Sequence, residues 1–154
     1  MLRTLLWSTL ALGIGLGAPA FAVTDEQRTD PRVRPKEGKR HTAFAVKFTL
    51  RQTPGHEGVY DTSYRVEVTA PADARAGCTP PPLDPVREGE AGERVRVKLR
   101  APEGGWCRRR HRVTVFLDRG PYCPADATDP CPAFPSESIE TGHARFRVRP
   151  ASKG

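Results

Sequence analysis

The chain has 154 residues, with 25 Lys+Arg against 18 Asp+Glu, 16 Pro, 14 Gly and four Cys, a length that supports one hydrophobic core and argues against several domains. A formal net charge of +7 favours anionic partners and says nothing of fold. Arginine outnumbers lysine twenty to five, a bias that a GC-rich genome places on surface positions whatever their role, so composition alone designates no binding site.

Residues 1–22 read as a secretory signal peptide: Arg3 supplies the positive start, residues 5–16 an apolar stretch, and Ala20-Phe21-Ala22 a small-x-small cleavage site. The apolar stretch is shorter than the roughly 20 residues that span a bilayer, so no transmembrane segment is expected. The mature chain is expected to start at Val23, with 24 Lys+Arg against 18 Asp+Glu and a net charge of +6. No cysteine follows the cleavage site to take a bacterial lipid anchor. The expected localisation is secreted, either extracellular or in the periplasm and cell envelope.

Residues 23–41 (VTDEQRTDPRVRPKEGKRH) carry almost no apolar side chains, mix both charges and include two prolines. Such a stretch buries too little surface to offset the entropy of ordering, so a flexible N-terminal arm is expected. The period then becomes two. Phe44, Val46, Phe48 and Leu50 alternate with Ala45, Lys47, Thr49 and Arg51, the mark of a half-buried strand. Four more segments repeat it: Tyr64, Val66, Val68 and Ala70 within residues 60–70; Val95, Val97 and Leu99, whose polar side is wholly basic; His111, Val113, Val115 and Leu117; and Ala144, Phe146 and Val148 against Arg145, Arg147 and Arg149. Thr53-Pro54-Gly55, Pro80-Pro81-Pro82 and Glu103-Gly104-Gly105 supply turns between them. No stretch carries a helical period, and a further short strand is expected near Val86 or Val59. The sum is an all-β, antiparallel two-sheet sandwich in one domain over residues 42–150, with a tail at 151–154.

Cys78, Cys107, Cys123 and Cys131 form an even set in an exported chain. Two disulfides are therefore expected, with three pairings open. Spacings of 29, 16 and 8 positions contain no C-x-x-C, which argues against zinc.

Phe44-x-Val46-x-Phe48, Tyr64-x-Val66-x-Val68, Cys78, Gly92-x-x-Val95-x-Val97, Trp106-Cys107 and Gly142-x-x-x-Phe146-x-Val148 together resemble the immunoglobulin-like or fibronectin-III-like modules of secreted bacterial proteins. The resemblance covers residues 44–149 and implies an architecture without an activity. It assigns the five strands as B, C, E, F and G, with C, F and G in one sheet and B and E in the other. It also implies that Cys78, after C, bonds Cys107, before F, and that Cys123–Cys131 staples the F-to-G connection. Trp106 is expected to pack on the first bond or to cap the core edge.

A sequence of this kind can act through three places. The connection over residues 119–142 is long for a compact sandwich and therefore a candidate binding loop, with Tyr122 and Phe134 as aromatic anchors. The sheet of C, F and G is expected to project Arg65, Arg112, Arg145, Arg147 and Arg149 from one surface, offset only by Glu67. His56, Asp61, Asp118 and His143 would meet at one end of the sandwich, where two His and two Asp can hold a divalent cation. His111, beside Arg108, Arg109 and Arg110, is expected to have a depressed proton affinity from the cationic surroundings, and His41 to be solvated. No catalytic motif such as G-x-S-x-G or H-E-x-x-H is present.

The preferred reading is a secreted, non-catalytic binding or structural module, monomeric and without cofactor, that engages an anionic envelope polymer or a protein partner. Nucleic acid is not expected, because the chain is exported and its basic face lacks stacking aromatics. The alternatives are a protease inhibitor presenting the Cys123–Cys131 loop and a small metal-dependent hydrolase using His56, Asp61, Asp118 or His143.

Overall fold

The computed structural model describes residues 24–58, 60–72, 78, 80–124, 130 and 135–150. Among these residues eight strands form two sheets: β1 (Arg32–Arg34), β2 (Glu37–Gly38), β3 (Phe44–Thr49), β4 (Gly55–Glu57), β5 (Tyr60–Thr69), β6 (Arg94–Leu99), β7 (Arg109–Pro121) and β8 (Glu137–Val148). The three-stranded sheet runs β1-β3-β6 and the five-stranded sheet β2-β8-β7-β5-β4. Among the described residues every strand pairing is antiparallel except β2 with β8, and the larger sheet is a curled, mixed half-barrel. Strands lie where the five alternating segments were expected, with β3 beside β6 and β5, β7 and β8 consecutive in the larger sheet; the parallel β2–β8 pair and the curl depart from the purely antiparallel immunoglobulin-like sandwich that the resemblance implied.

Alternation drives this arrangement, because each strand gives one face to the core and the other to solvent. Val33, Phe44, Val46, Phe48, Leu50 and Leu99 enter from the smaller sheet. Tyr64, Val66, Val113, Val115, Leu117, Phe146 and Val148 enter from the larger. The layers meet through aromatic contacts, Phe44 on Phe146 at 4.1 Å between ring centres and Phe48 on Tyr64 at 5.8 Å. Trp106, 1% exposed, packs edge-on to Phe44, Phe146 and His111 and donates its indole N–H to the Thr42 carbonyl. The Tyr64 hydroxyl accepts from the Arg51 and Gln52 amides at 2.9 and 2.8 Å, tying β5 to the end of β3.

The flexible arm expected over residues 23–41 is corrected where it is described. β1 pairs with β3, Val33 joins the core, and β2 lies along β8. Few apolar residues suffice because the backbone does the work: the Thr29 amide donates to the Thr141 carbonyl and the Thr49 amide to the Thr29 carbonyl. The segment thus stitches one sheet to the other, and the folded unit begins before residue 42.

The last two strands are longer than their alternation suggested. β8 pairs Gly142 with Val115 and Glu140 with Phe116, leaving Thr141 as the extra residue of a β-bulge. Its hydroxyl turns inward, donates to the Val115 carbonyl at 3.1 Å and lies 3.2 Å from the Thr29 hydroxyl. A Cβ on Gly142 would come within 2.7 Å of Pro31, so glycine permits the close approach of the N-terminal segment. The bulge resets the alternation, which is why residues 137–141 read as loop in sequence. The connection expected over 119–142 is accordingly shortened, since β7 runs to Pro121 and β8 starts at Glu137. Val86 forms an isolated bridge to Tyr64, and Val59 lies outside the described residues.

Candidate functional site

The outward positions of the three-stranded sheet are Arg32 and Arg34 on β1, Ala45, Lys47 and Thr49 on β3, and Arg94, Arg96 and Lys98 on β6. All six cations are exposed. Their register puts like charges in one row, Arg32 opposite Lys47 and Lys47 opposite Arg96, with Arg34 and Lys98 flanking Ala45 in the next. Among the described residues none of the six forms an ion pair. The basic side of β6 is legible in sequence but the site is not, because only the pairing with β3 and, through it, with the N-terminal segment assembles it. The row continues around the edge of the molecule, where a groove between β1 and β8 is lined by Arg32, Arg34, Lys36 and Arg145.

The outward face of the five-stranded sheet differs from the expectation of arginines offset only by Glu67. Arg65 Nε donates to Asp118 Oδ2 at 2.7 Å, its Nη2 donates to the Ser138 hydroxyl at 2.9 Å, and its guanidinium also pairs with Glu67 and lies over Phe116. Arg112 Nη2 donates to Glu140 Oε1 at 2.6 Å, and Arg149 pairs with Glu37. Sequence alternation hid these partners, because Glu140 lies beyond the bulge, Asp118 sits in apparent turn chemistry, and Glu37 arrives from the N-terminal segment. Arg145 and Arg147 stand opposite Arg112 and Arg110. Among the described residues neither Arg145, Arg147 nor Arg110 has an ion-pair partner.

The grouping of His56, Asp61, Asp118 and His143 does not form. His56 is opposite Asp61 in the β4–β5 pairing, but its ring stacks on Tyr122 at 4.3 Å and Asp61 accepts from Arg87. Asp118 faces Ser138, and His143 faces Thr114 four residues further down β7, about 13 Å away along the strand. Among the described residues no three of His, Cys, Asp and Glu converge on a metal-sized site. Burial pushes the Asp118 carboxyl up, but hydrogen bonds from Arg65 and Ser138 and the Arg65 charge together hold it below the usual carboxylate value.

Tyr122, the expected anchor, is half-buried against His56. Phe134 and Cys131 lie outside the described residues, and Cys123 is disulfide-bonded. The expected Cys78–Cys107 bond is present, with Cα atoms 5.4 Å apart. His111 is 0% exposed, stacked on Phe146 at 4.8 Å with Nε2 2.9 Å from the Cys107 carbonyl. Its proton affinity is lowered chiefly by burial, which the hydrogen bond to Cys107 only partly opposes. The cause is thus the apolar pocket and not the neighbouring arginines.

No family model, curated protein or solved structure matches this chain.

Proposed function

We propose that the chain is a secreted, non-catalytic binding module with an immunoglobulin-like arrangement of strands, and that it engages an anionic envelope component through surface charge. One observation carries the reading: cations are collected on outward positions and paired in register with one another, as in Arg32–Lys47–Arg96. Like charges directly opposite on neighbouring strands lower stability, so an arrangement that repeats them is best accounted for by a ligand that relieves the repulsion. The pairing of β3 with β6 and the order β5-β7-β8 support the immunoglobulin-like arrangement. The signal-like residues 1–22 and the Cys78–Cys107 bond support export into an oxidising compartment. The polar groups considered for a hydrolase are engaged separately, His56 with Tyr122, Asp61 with Arg87, and Asp118 with Arg65.

The test is retention of the mature protein on immobilised polyanion and on an uncharged matrix of the same polymer. Retention at low salt on the first alone, with release as salt screens the charges, is the expected result. Equal behaviour on both supports would discard the reading.

A further inference from the structure

We infer that the outward face of the three-stranded sheet docks a linear phosphodiester polymer without bases, a polyol phosphate chain; this rests on the reading of the protein as an exported anion-binding module.

The face is too extended for one small anion. From Arg94 to Lys98 the cations run about 13 Å along β6, and from Arg32 to Arg96 they cross three strands, about 10 Å. A ligand that answers all of them carries several charges on one chain. Two features narrow its chemistry. The positions between the cations are Ala45, which is buried, and the half-buried Thr49, so these strands expose no aromatic ring on which a base can stack and no apolar anchor of the kind that dominates protein interfaces. What it offers is guanidinium forks, which hold phosphate oxygens in pairs, together with two ammonium groups. Along β1 and β6 these recur at alternate residues, about 6.6 Å apart, which favours a polymer whose charges are spaced and not contiguous.

Protection of a sheet edge against aggregation also uses charge, and β1 and β6 are the edges of this sheet. That role is filled equally well by mixed signs. The chain has 18 Asp+Glu, yet β1, β3 and β6 contain none of them, and Lys47 lies on the central strand between two other cations. The groove lined by Lys36 and Arg145 continues the surface toward Arg147 and Arg110 on the other sheet, giving a long polymer a path beyond the first face.

The experiment measures binding of the mature protein to poly(glycerol phosphate), poly-L-glutamate and a single-stranded oligonucleotide at matched charge and low salt. The parent protein is compared with Arg32→Ser/Lys47→Ser/Arg96→Ser, with Arg110→Ser/Arg145→Ser/Arg147→Ser, and with the charge-keeping Arg32→Lys/Arg96→Lys. All substituted positions are exposed, and thermal melts verify that each variant is folded. The expected result is preference for poly(glycerol phosphate), with the first triple variant weakened roughly tenfold or more and showing a shallower salt dependence. The second triple variant should lose less than about threefold, and the charge-keeping variant should retain most of the affinity. If the two triple variants exchange behaviour, the assignment to this face is overturned while anion binding stands. Tighter binding of polyglutamate overturns the phosphodiester class, and tighter binding of the oligonucleotide overturns the base-free, polyol character of the chain. Failure of the parent protein to bind any of the three removes the underlying functional reading as well.

Discussion

On the outward face of the five-stranded sheet, Arg65, Arg112 and Arg149 each meet a carboxylate, from Asp118 and Glu67, Glu140, and Glu37 respectively. On the three-stranded sheet, Arg32, Lys47 and Arg96 meet one another. The same residue types are therefore used in two ways on two sheets of one chain. In the first they are parts of the fold, held by partners that they in turn hold. In the second they are a standing charge whose release requires something from outside.

The largest contrast is expected from deleting one arginine of each kind. Arg65→Ala removes two bonds to Asp118 and one to Ser138 and uncovers Phe116. Charged hydrogen bonds in a half-exposed setting suggest a loss of about 1–2 kcal/mol. Arg96→Ala breaks no ion pair among the described residues and should stay within about 0.5 kcal/mol of the parent. Urea denaturation of both variants measures the difference. Removing Arg65 should also raise the Asp118 pKa, since burial then acts with less opposition, and a carboxyl titration followed by NMR reads that change. Equal costs at the two positions would erase the distinction between the faces.

Acid should sharpen the comparison, because the two groups with displaced titrations among the described residues, His111 and Asp118, both lie on β7 of the larger sheet. His111 is held below its ordinary value of 6.5 by burial. The unfolded chain therefore takes up that proton first, and stability declines as pH falls below 6.5 toward the folded value, with a limiting slope of about 1.4 kcal/mol per pH unit. Asp118 has the opposite charge type and a later window: its folded-state pKa is also lowered, so its contribution is present above the ordinary 3.8 and disappears as pH falls through the folded value. His111→Leu should flatten stability between pH 7 and 5 and leave the lower window in place. Arg96→Ala should alter neither window.

Much of the fold was legible because alternation is a local signal. Phe44 to Leu50, Tyr64 to Val68 and Val95 to Leu99 each declare their buried face without reference to the rest of the chain. The two faces were not legible to the same degree. Thr141 shifts the phase of β8 by one residue, which hid Glu140 as the partner of Arg112. Arg32 and Arg34 looked like part of a solvated arm, since their order comes from backbone bonds to β3 and from the buried side chains of Thr29 and Val33. The cationic row is a product of pairing between segments distant in sequence, and no motif within any one of them announces it. The burial of His111 was half visible: alternation put it with Val113 and Val115, while the adjacent arginines suggested a charged surround that the ring does not have.

The smallest expected effect carries the clearest sign. Lys47 stands between Arg32 and Arg96, so Lys47→Thr removes two like-charge contacts and places a β-branched residue on a central strand, where it is favoured. The variant should be as stable as the parent or more so, by up to about 0.5 kcal/mol at low salt, with the gain fading as ionic strength rises past the point where the Debye length falls to a few ångströms. The matching change on the other sheet, Glu140→Thr, should have the reverse sign, because it strips Arg112 of its carboxylate and leaves that guanidinium opposite Arg145 with only the His143 ring beside it. Melting temperatures in low and high salt compare the pair. A loss at Lys47 would mean that the charges of the three-stranded sheet are part of the fold after all and would leave no stored repulsion for a polyanion to relieve, whereas a gain at Glu140 would mean that the Arg112 pair does not hold the larger sheet.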